Sequence, residues 1–210
     1  METKKFLEKV LGDGYYSVLG LGDKKVQSFH ATIDDVIEKA NELDAEGVNA
    51  YFGLATFTTS NDRKVTNVKS LSSFYLDLDC GVGKEYPDQN TAFHDLKRFV
   101  KETGLPRPML INSGYGIHVY WVLTESVSYG EWLPVAQGLK DMCIQHNLSA
   151  DNGVTADAAR VLRVPGTRNH KRGTHKPVMF FGTGEFRDVE FDEFARLIGK
   201  EGVNVPTKVD

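Results

Sequence analysis

The sequence predicts an α+β protein in which a mixed, mainly antiparallel sheet is packed with helices, and three observations carry that expectation. Short apolar runs alternate with period two, and amphipathic segments recur with the helical period. Their order mixes hairpins with βα segments instead of repeating one βα unit, which disfavours a doubly wound parallel sheet.

Residues 3–11 carry Lys4, Lys5, Glu8 and Lys9 at helical spacing and read as a helix. Residues 15–19 and 26–29 read as short strands joined by a turn at Gly20, Gly22 and Asp23. Thr32 can cap a helix over 33–43, which places Ile33, Val36, Ile37, Ala40 and Leu43 on one face and stops at Gly47. A strand over 50–58 leads into a polar loop with Asn61, Asp62, Arg63 and Lys64. The run 73–79 alternates Phe74, Leu76 and Leu78 against Tyr75, Asp77 and Asp79, the pattern of a strand with its carboxylates on one face. Helices are expected over 88–104, 128–147 and 191–198, and strands over 109–112, 117–123 and 178–181.

The 210 residues are 40% hydrophobic and 26% charged, the composition of an ordinary globular protein with a sizeable core. The longest apolar runs fall far short of the roughly 20 residues that cross a bilayer, so no membrane span is expected. The N-terminus lacks the apolar core and cleavage site of a signal peptide, which predicts a cytoplasmic location. Cys80 and Cys143 have no partnered spacing; reduced thiols and no structural zinc are expected.

A net charge of −4 does not announce a nucleic-acid binder, but its distribution is uneven. Between Asp157 and Glu185 no acidic residue occurs, while Arg160, Arg163, Arg168, Lys171, Arg172 and Lys176 do, with His170 and His175 among them. A local cationic surface on an acidic protein is expected; a solvated loop is the plainer alternative.

Three constellations carry chemistry. Asp77 and Asp79 stand at i and i+2 at the end of an apolar strand, where they repel unless a cation lies between them, and hard oxygen ligands suit Mg²⁺ or Mn²⁺. The pair alone is weakly specific. Ser113, Gly114, Gly116 and His118 surround a turn whose glycines permit close backbone approach or positive φ, an arrangement that suits a phosphate but also an ordinary hairpin. Asp151 offers a third carboxylate ahead of Arg160 and Arg163, whose forked guanidinium groups match phosphate; Asp157 paired with Arg160 is the simpler reading of that stretch.

In this order the three runs resemble the motifs of the archaeo-eukaryotic primase superfamily, above all the primase-polymerases of phages and plasmids. Ala159 to Lys171, reading Ala-Arg-Val-Leu-Arg-Val-Pro-Gly-Thr-Arg-Asn-His-Lys, carries the longest match, and the resemblance covers about residues 54–181. It implies the primase fold, with an RRM-like palm and an N-terminal α/β part. Residues 1–202 would form the catalytic domain, split into 1–50 and 51–200, with 203–210 a tail or a linker to a further domain. Asp77, Asp79 and Asp151 would bind two divalent metals, with Asp157 a competitor for the third place. Ser113, Gly114, Gly116 and His118 would meet the incoming triphosphate, and Arg160, Arg163 and Lys171 would line its pocket. Arg168, Arg172, Lys176 and Lys64 are the expected nucleic-acid contacts, with Asn67 and Lys69 nearby. The implied activity is template-directed primer synthesis or extension from NTPs or dNTPs on single-stranded DNA, with a fused or separate replicative helicase as a partner.

Two other classes compete. A sugar-nucleotide-dependent transferase would account for Asp77 and Asp79 but not for Ser113 to His118 or the basic stretch. A catalytically silent nucleic-acid-binding module would account for the basic stretch alone. A rolling-circle nicking enzyme would need a His-x-His pair, which the sequence lacks.

Overall fold

The computed structural model of the chain describes residues 2–181 and 186–199, apart from the side chain of Arg172. Arg172 as a nucleic-acid contact and the tail at 203–210 therefore lie outside the described residues.

Helix α1 (Thr3–Val10) buries Phe6, Leu7 and Val10. The strands β1 (Tyr16–Leu21) and β2 (Lys25–His30) form the expected hairpin. Thr32 caps α2 (Ile33–Ala45), accepting from the Asp35 amide at 3.2 Å, and Ile33, Val36, Ala40 and Leu43 are buried as the spacing required. The next strand departs from expectation by breaking in two. Strand β3 (Asn49–Gly53) pairs with β1, whereas β4 (Ala55–Phe57) belongs to the other sheet. The chain crosses at Leu54, whose amide bonds the Arg160 carbonyl, and at Gly53, where a Cβ would lie 2.2 Å from Ser17 Oγ. Unbroken apolar character hid the break, because both halves are buried.

Strand β5 (Val68–Leu78) starts earlier than its alternation suggested and is the longest partner of β7 (Ile117–Val127). Helix α3 (Gln89–Thr103) begins at an Asp88 cap and ends at Gly104, whose φ of 71° gives it the left-handed stop that glycine tolerates. Strand β6 (Met109–Asn112) precedes β7, and a Ser128–Glu131 capping box opens α4 (Tyr129–Gln145). The basic stretch, for which a solvated loop was the plainer alternative, contains the short strands β8 (Val161–Arg163), β9 (Arg168–Asn169) and β10 (Lys176–Pro177). Strand β11 (Met179–Phe180) and α5 (Phe191–Leu197) complete the described elements.

Two larger sheets result, ordered β2-β1-β3-β8 and β11-β6-β7-β5-β4, all paired antiparallel, with a β9–β10 ladder beside them. The N-terminal strands do not make a sheet of their own, since β8 adds its edge from the far end of the chain. Phe6 stands between the sheets, its ring edge-on to Phe52 of β3 at 5.8 Å and to Tyr120 of β7 at 5.2 Å. On the opposite face of β5, Phe74 stacks on Phe194 of α5 at 4.6 Å and on Trp132 of α4 at 5.9 Å. The five-stranded sheet is thus covered on both faces, and its polar residues collect at one end.

Candidate active site

Antiparallel register sets Asp77 of β5 opposite His118 of β7, and Tyr75 opposite Tyr120. Period two sends these four side chains to the face that meets the first sheet, while Phe74, Leu76 and Trp121 fill the other. The Asp77 side chain is only 19% exposed and accepts no hydrogen bond among the described residues; its nearest ring nitrogen is His118 Nε2 at 3.9 Å. Burial first, and then the charges of Asp79 and Asp151, push its carboxyl up to about 7, against the pull of Lys171 and Arg163.

Asp79 lies just past the strand end and is half exposed, its Oδ2 2.5 Å from Lys84 Nζ. Lys84 arrives on the turn Gly81 to Tyr86, closed by the Gly81 amide on the Tyr86 carbonyl at 2.9 Å. The bond to Asp79, and then the charges of Asp79, Asp77 and Asp151, hold the Lys84 ammonium above the ordinary lysine range. Asp151 is fixed by its main chain, since its amide donates to the Asp77 carbonyl at 2.8 Å. Asp79, Lys84, Asp151 and Asn152 line one polar cleft of about 590 Å³. Asp157 caps the Ala159 amide with its Oδ1 at 2.9 Å, and its Oδ2 lies 3.9 Å from the Arg160 guanidinium that also faces Asp151.

The expected set of three metal-binding carboxylates is not closed. Among the described residues, no three His, Cys, Asp or Glu side chains surround a common point. Asp79 pairs with Lys84, and Asp151 has its Oδ1 on the Gly153 amide at 2.8 Å and its Oδ2 3.7 Å from Arg160, whereas Asp77 has no such partner among the described residues. The donor chemistry fits a hard divalent ion all the same, because the cluster already draws in one ammonium and leaves Asp77 poorly compensated.

On the other side of Asp77, His118 is 3% exposed, and burial followed by the charge of Arg163 pushes its ring down to about 3. It is therefore neutral, and its buried Nδ1 has no hydrogen-bond partner among the described residues. Arg163, itself 4% exposed, lies over the Tyr51 ring at 4.6 Å and donates to Asn49 Oδ1 at 2.6 Å. Asn49 Oδ1 also accepts the His170 amide at 2.9 Å, which ties Arg163 to the segment bearing Lys171. Asp44, at the end of α2, fastens the same segment through the Arg168 amide at 2.7 Å, the Arg168 guanidinium at 3.0 Å and the His170 ring at 2.8 Å.

The glycine turn is held from both sides. Ser113 Oγ accepts the Gly116 amide at 3.1 Å, and the Ser113 carbonyl accepts Asn169 Nδ2 at 2.7 Å. Gly114 has φ +95° and sits where a Cβ would be 2.7 Å from that of Asn169; a Cβ on Gly116 would be 2.4 Å from the Leu78 carbonyl oxygen. These glycines pack the turn against β5 and the β9 segment. Lys176 covers the Tyr115 ring at 4.1 Å, whereas Lys64 is exposed and paired with Asp62 at 3.3 Å. Arg63 instead reaches inward, donating to the Ala159 carbonyl. Lys84, Asn49, Tyr51, Asp44 and Arg63 were not expected as site residues; their spacing in sequence carries no motif, and only the fold brings them here.

No family model matches the sequence. A replication protein of Clostridium perfringens is 30% identical over 135 residues, which is 63% of this chain and 32% of that protein. The chain thus spans about a third of the length of this curated relative. Among solved structures, the archaeo-eukaryotic primase domain of the cyanophage S-2L primase-polymerase superposes with a TM-score of 0.62 at 16% identity, covering 88% of this chain and 89% of that one. The catalytic domain of primase RepB′, in complex with initiator DNA, gives 0.59 at 11% identity over 95% and 93%. The polymerase domain of Mycobacterium tuberculosis ligase D, in complex with DNA, gives 0.52 at 14% identity over 88% and 71%. At such identities the likeness is one of architecture, and the chain has the archaeo-eukaryotic primase fold.

Proposed function

We propose that this chain, built on the archaeo-eukaryotic primase fold, is the catalytic part of a primase-polymerase that starts or extends strands on a single-stranded DNA template from nucleoside triphosphates in phage or plasmid replication. What supports the reading is the meeting of two distant stretches: Asp77 and Asp79 from one strand, Asp151 bonded to the Asp77 carbonyl, and the cations Arg163 and Lys171 on the far side of Asp77. Fold alone does not fix activity, and these side chains are what support it here.

Asp77, Asp79 and Asp151 would hold two divalent ions, Mg²⁺ or Mn²⁺, with Lys84 yielding its place at Asp79. When bound, such ions acidify an attacking 3′-hydroxyl and offset charge on a departing pyrophosphate. The chain's own groups do the rest. Arg163 is held by Asn49 and Tyr51, and the backbone at Lys171 is held through His170 and Asp44, so the Arg163 guanidinium would meet a triphosphate with little reorganisation and Lys171 would add its charge from a fixed main chain. His118 Nδ1 is buried and unpartnered among the described residues, so a phosphate oxygen would reach it only if nucleotide binding opened the turn beside it. Gly114 and Gly116, with Ser113, keep the turn before β7 close-packed, which fixes His118 in register. Arg160 lies between Asp151 and Asp157 and can swing to an anion, while Lys176, Arg168 and Lys64 offer charge to a template backbone.

The test is incubation with a single-stranded template, labelled NTPs or dNTPs and Mg²⁺ or Mn²⁺, with and without a primer. Template-dependent products that vanish with EDTA are expected. Failure to incorporate either nucleotide pool on a primed template, with either ion, overturns the reading.

A further inference from the structure

We propose that the groove between α3 and the β6–β11 edge of the five-stranded sheet is a docking site for an acidic, amphipathic peptide segment of a partner protein. The groove encloses about 840 Å³, and its floor includes Phe93, Met109, Leu110, Phe180, Phe181 and Phe186. Lys5, Lys97, Lys101 and Arg107 stand around it, all exposed, and among the described residues no acidic side chain lines it. None of these four is in an ion pair among the described residues. On a chain with 29 acidic and 25 basic residues, four cations with no ion-pair partner among the described residues, set about one apolar hollow, depart locally from the overall charge balance.

The pattern selects the occupant. An apolar concavity of this size takes side chains, and its cationic border favours carboxylates beside them. Lys97 and Lys101 follow each other by one turn of α3, roughly 6 Å apart, a spacing that suits carboxylates strung along a chain better than one compact anion. Single-stranded nucleic acid would want open aromatic faces for its bases. Here the phenylalanines are half-buried and interleaved with Pro108, Met109 and Leu110, which have no such faces. The groove shares no residue with the cleft of Asp79 and Asp151, so a bound segment would leave that cleft free. The site stands independently of the proposed polymerase activity.

Fluorescence anisotropy tests this with a fluorescein-labelled peptide in which Leu and Phe are flanked by aspartates. Binding in the range of about 10–100 µM is expected. The double variant Lys97→Glu with Lys101→Glu should weaken it about tenfold or more, as should replacing the peptide's Leu and Phe by Ser, while circular dichroism of the variant stays that of the parent. The proposal is overturned if the parent binds the aspartate peptide no better than the Ser control, or if the double variant binds it unchanged. It is also overturned if the charge reversals weaken oligodeoxythymidine binding while the peptide does not bind, which would assign the groove to nucleic acid.

Discussion

The amide of Asp151 donates to the main-chain carbonyl of Asp77 across 2.8 Å, although α3, β6, β7 and α4 lie between β5 and the loop that carries Asp151. The bond attaches the segment after α4 to the end of β5 before any side chain is considered. The position of the Asp151 carboxylate is thereby set by backbone, and its direction by the Gly153 amide on Oδ1 at 2.8 Å, with Oδ2 3.7 Å from Arg160.

Asp77→Asn and Asp79→Asn should each reduce nucleotide incorporation about a thousandfold or more without loosening the fold. Burial and like charge oppose ionisation of Asp77, so an amide there removes repulsion instead of a supporting bond. In EDTA, the melting temperature of Asp77→Asn should equal or exceed that of the parent. A fall of more than about 5 °C, or synthesis near the parent rate, contradicts the assignment.

His118→Ala should raise the nucleotide KM about tenfold while the Kd for template DNA stays unchanged. The ring reaches the Asp77 end of the sheet and its free nitrogen faces no protein acceptor. Steady-state kinetics with a primed template, alongside template titration, reads both quantities; an unchanged KM contradicts the role.

Asp44 gives the protein an acid-sensitive fastening. Burial pushes its carboxyl up, but the bonds from the Arg168 amide, the His170 ring and the Arg168 guanidinium outweigh it and hold the group below the usual aspartate range. A depressed carboxylate stabilises the fold above the unfolded value of about 3.9, and that contribution disappears as pH falls through the lower, folded value. Asp44→Ala should cost about 1–3 kcal/mol at pH 7 and little at the acid extreme. Amide exchange at residues 168–170 should quicken in the variant; equal exchange in both proteins would show the fastening to be idle.

Gly116→Ala and Gly130→Ala should act in opposite directions. A methyl group on Gly116 meets the Leu78 carbonyl oxygen at 2.4 Å, where backbone cannot give way, and should cost about 1–3 kcal/mol. On Gly130, in the first turn of α4, it meets only Ser128 Oγ at 3.9 Å and should stabilise by about 0.5–1 kcal/mol. Urea unfolding of the two variants checks the contrast.

Elements with a clear period were legible in advance: the Thr32 cap and its helix, the β5 alternation and the hairpin around Ser113 to Gly116 all stand where their spacing put them. The break at Leu54 was hidden because both flanking strands are buried, and periodicity cannot tell one buried strand from two. The strands β8 to β10 were hidden by their length, two or three residues each among Pro and Gly. At the site, Asp77 and His118 carried local signals. Lys84 did not, lying in a glycine turn that reads as solvent-facing loop, and neither did Asn49, which meets Arg163 across 114 positions. Such partners are chosen by tertiary contact, which leaves no trace in local spacing.

The β3–β8 pairing has a consequence for biosynthesis. As the chain leaves the ribosome, the first sheet can form three strands early, but its fourth edge waits until Arg163 has emerged and come back to Tyr51. Until then Tyr51 and Phe52 offer an unsatisfied strand edge to other nascent chains, so the interval between the two segments is when aggregation threatens most. Shielding that edge co-translationally, by a chaperone or by slow-decoding codons placed after residue 163 has cleared the exit tunnel, should raise the yield of folded protein.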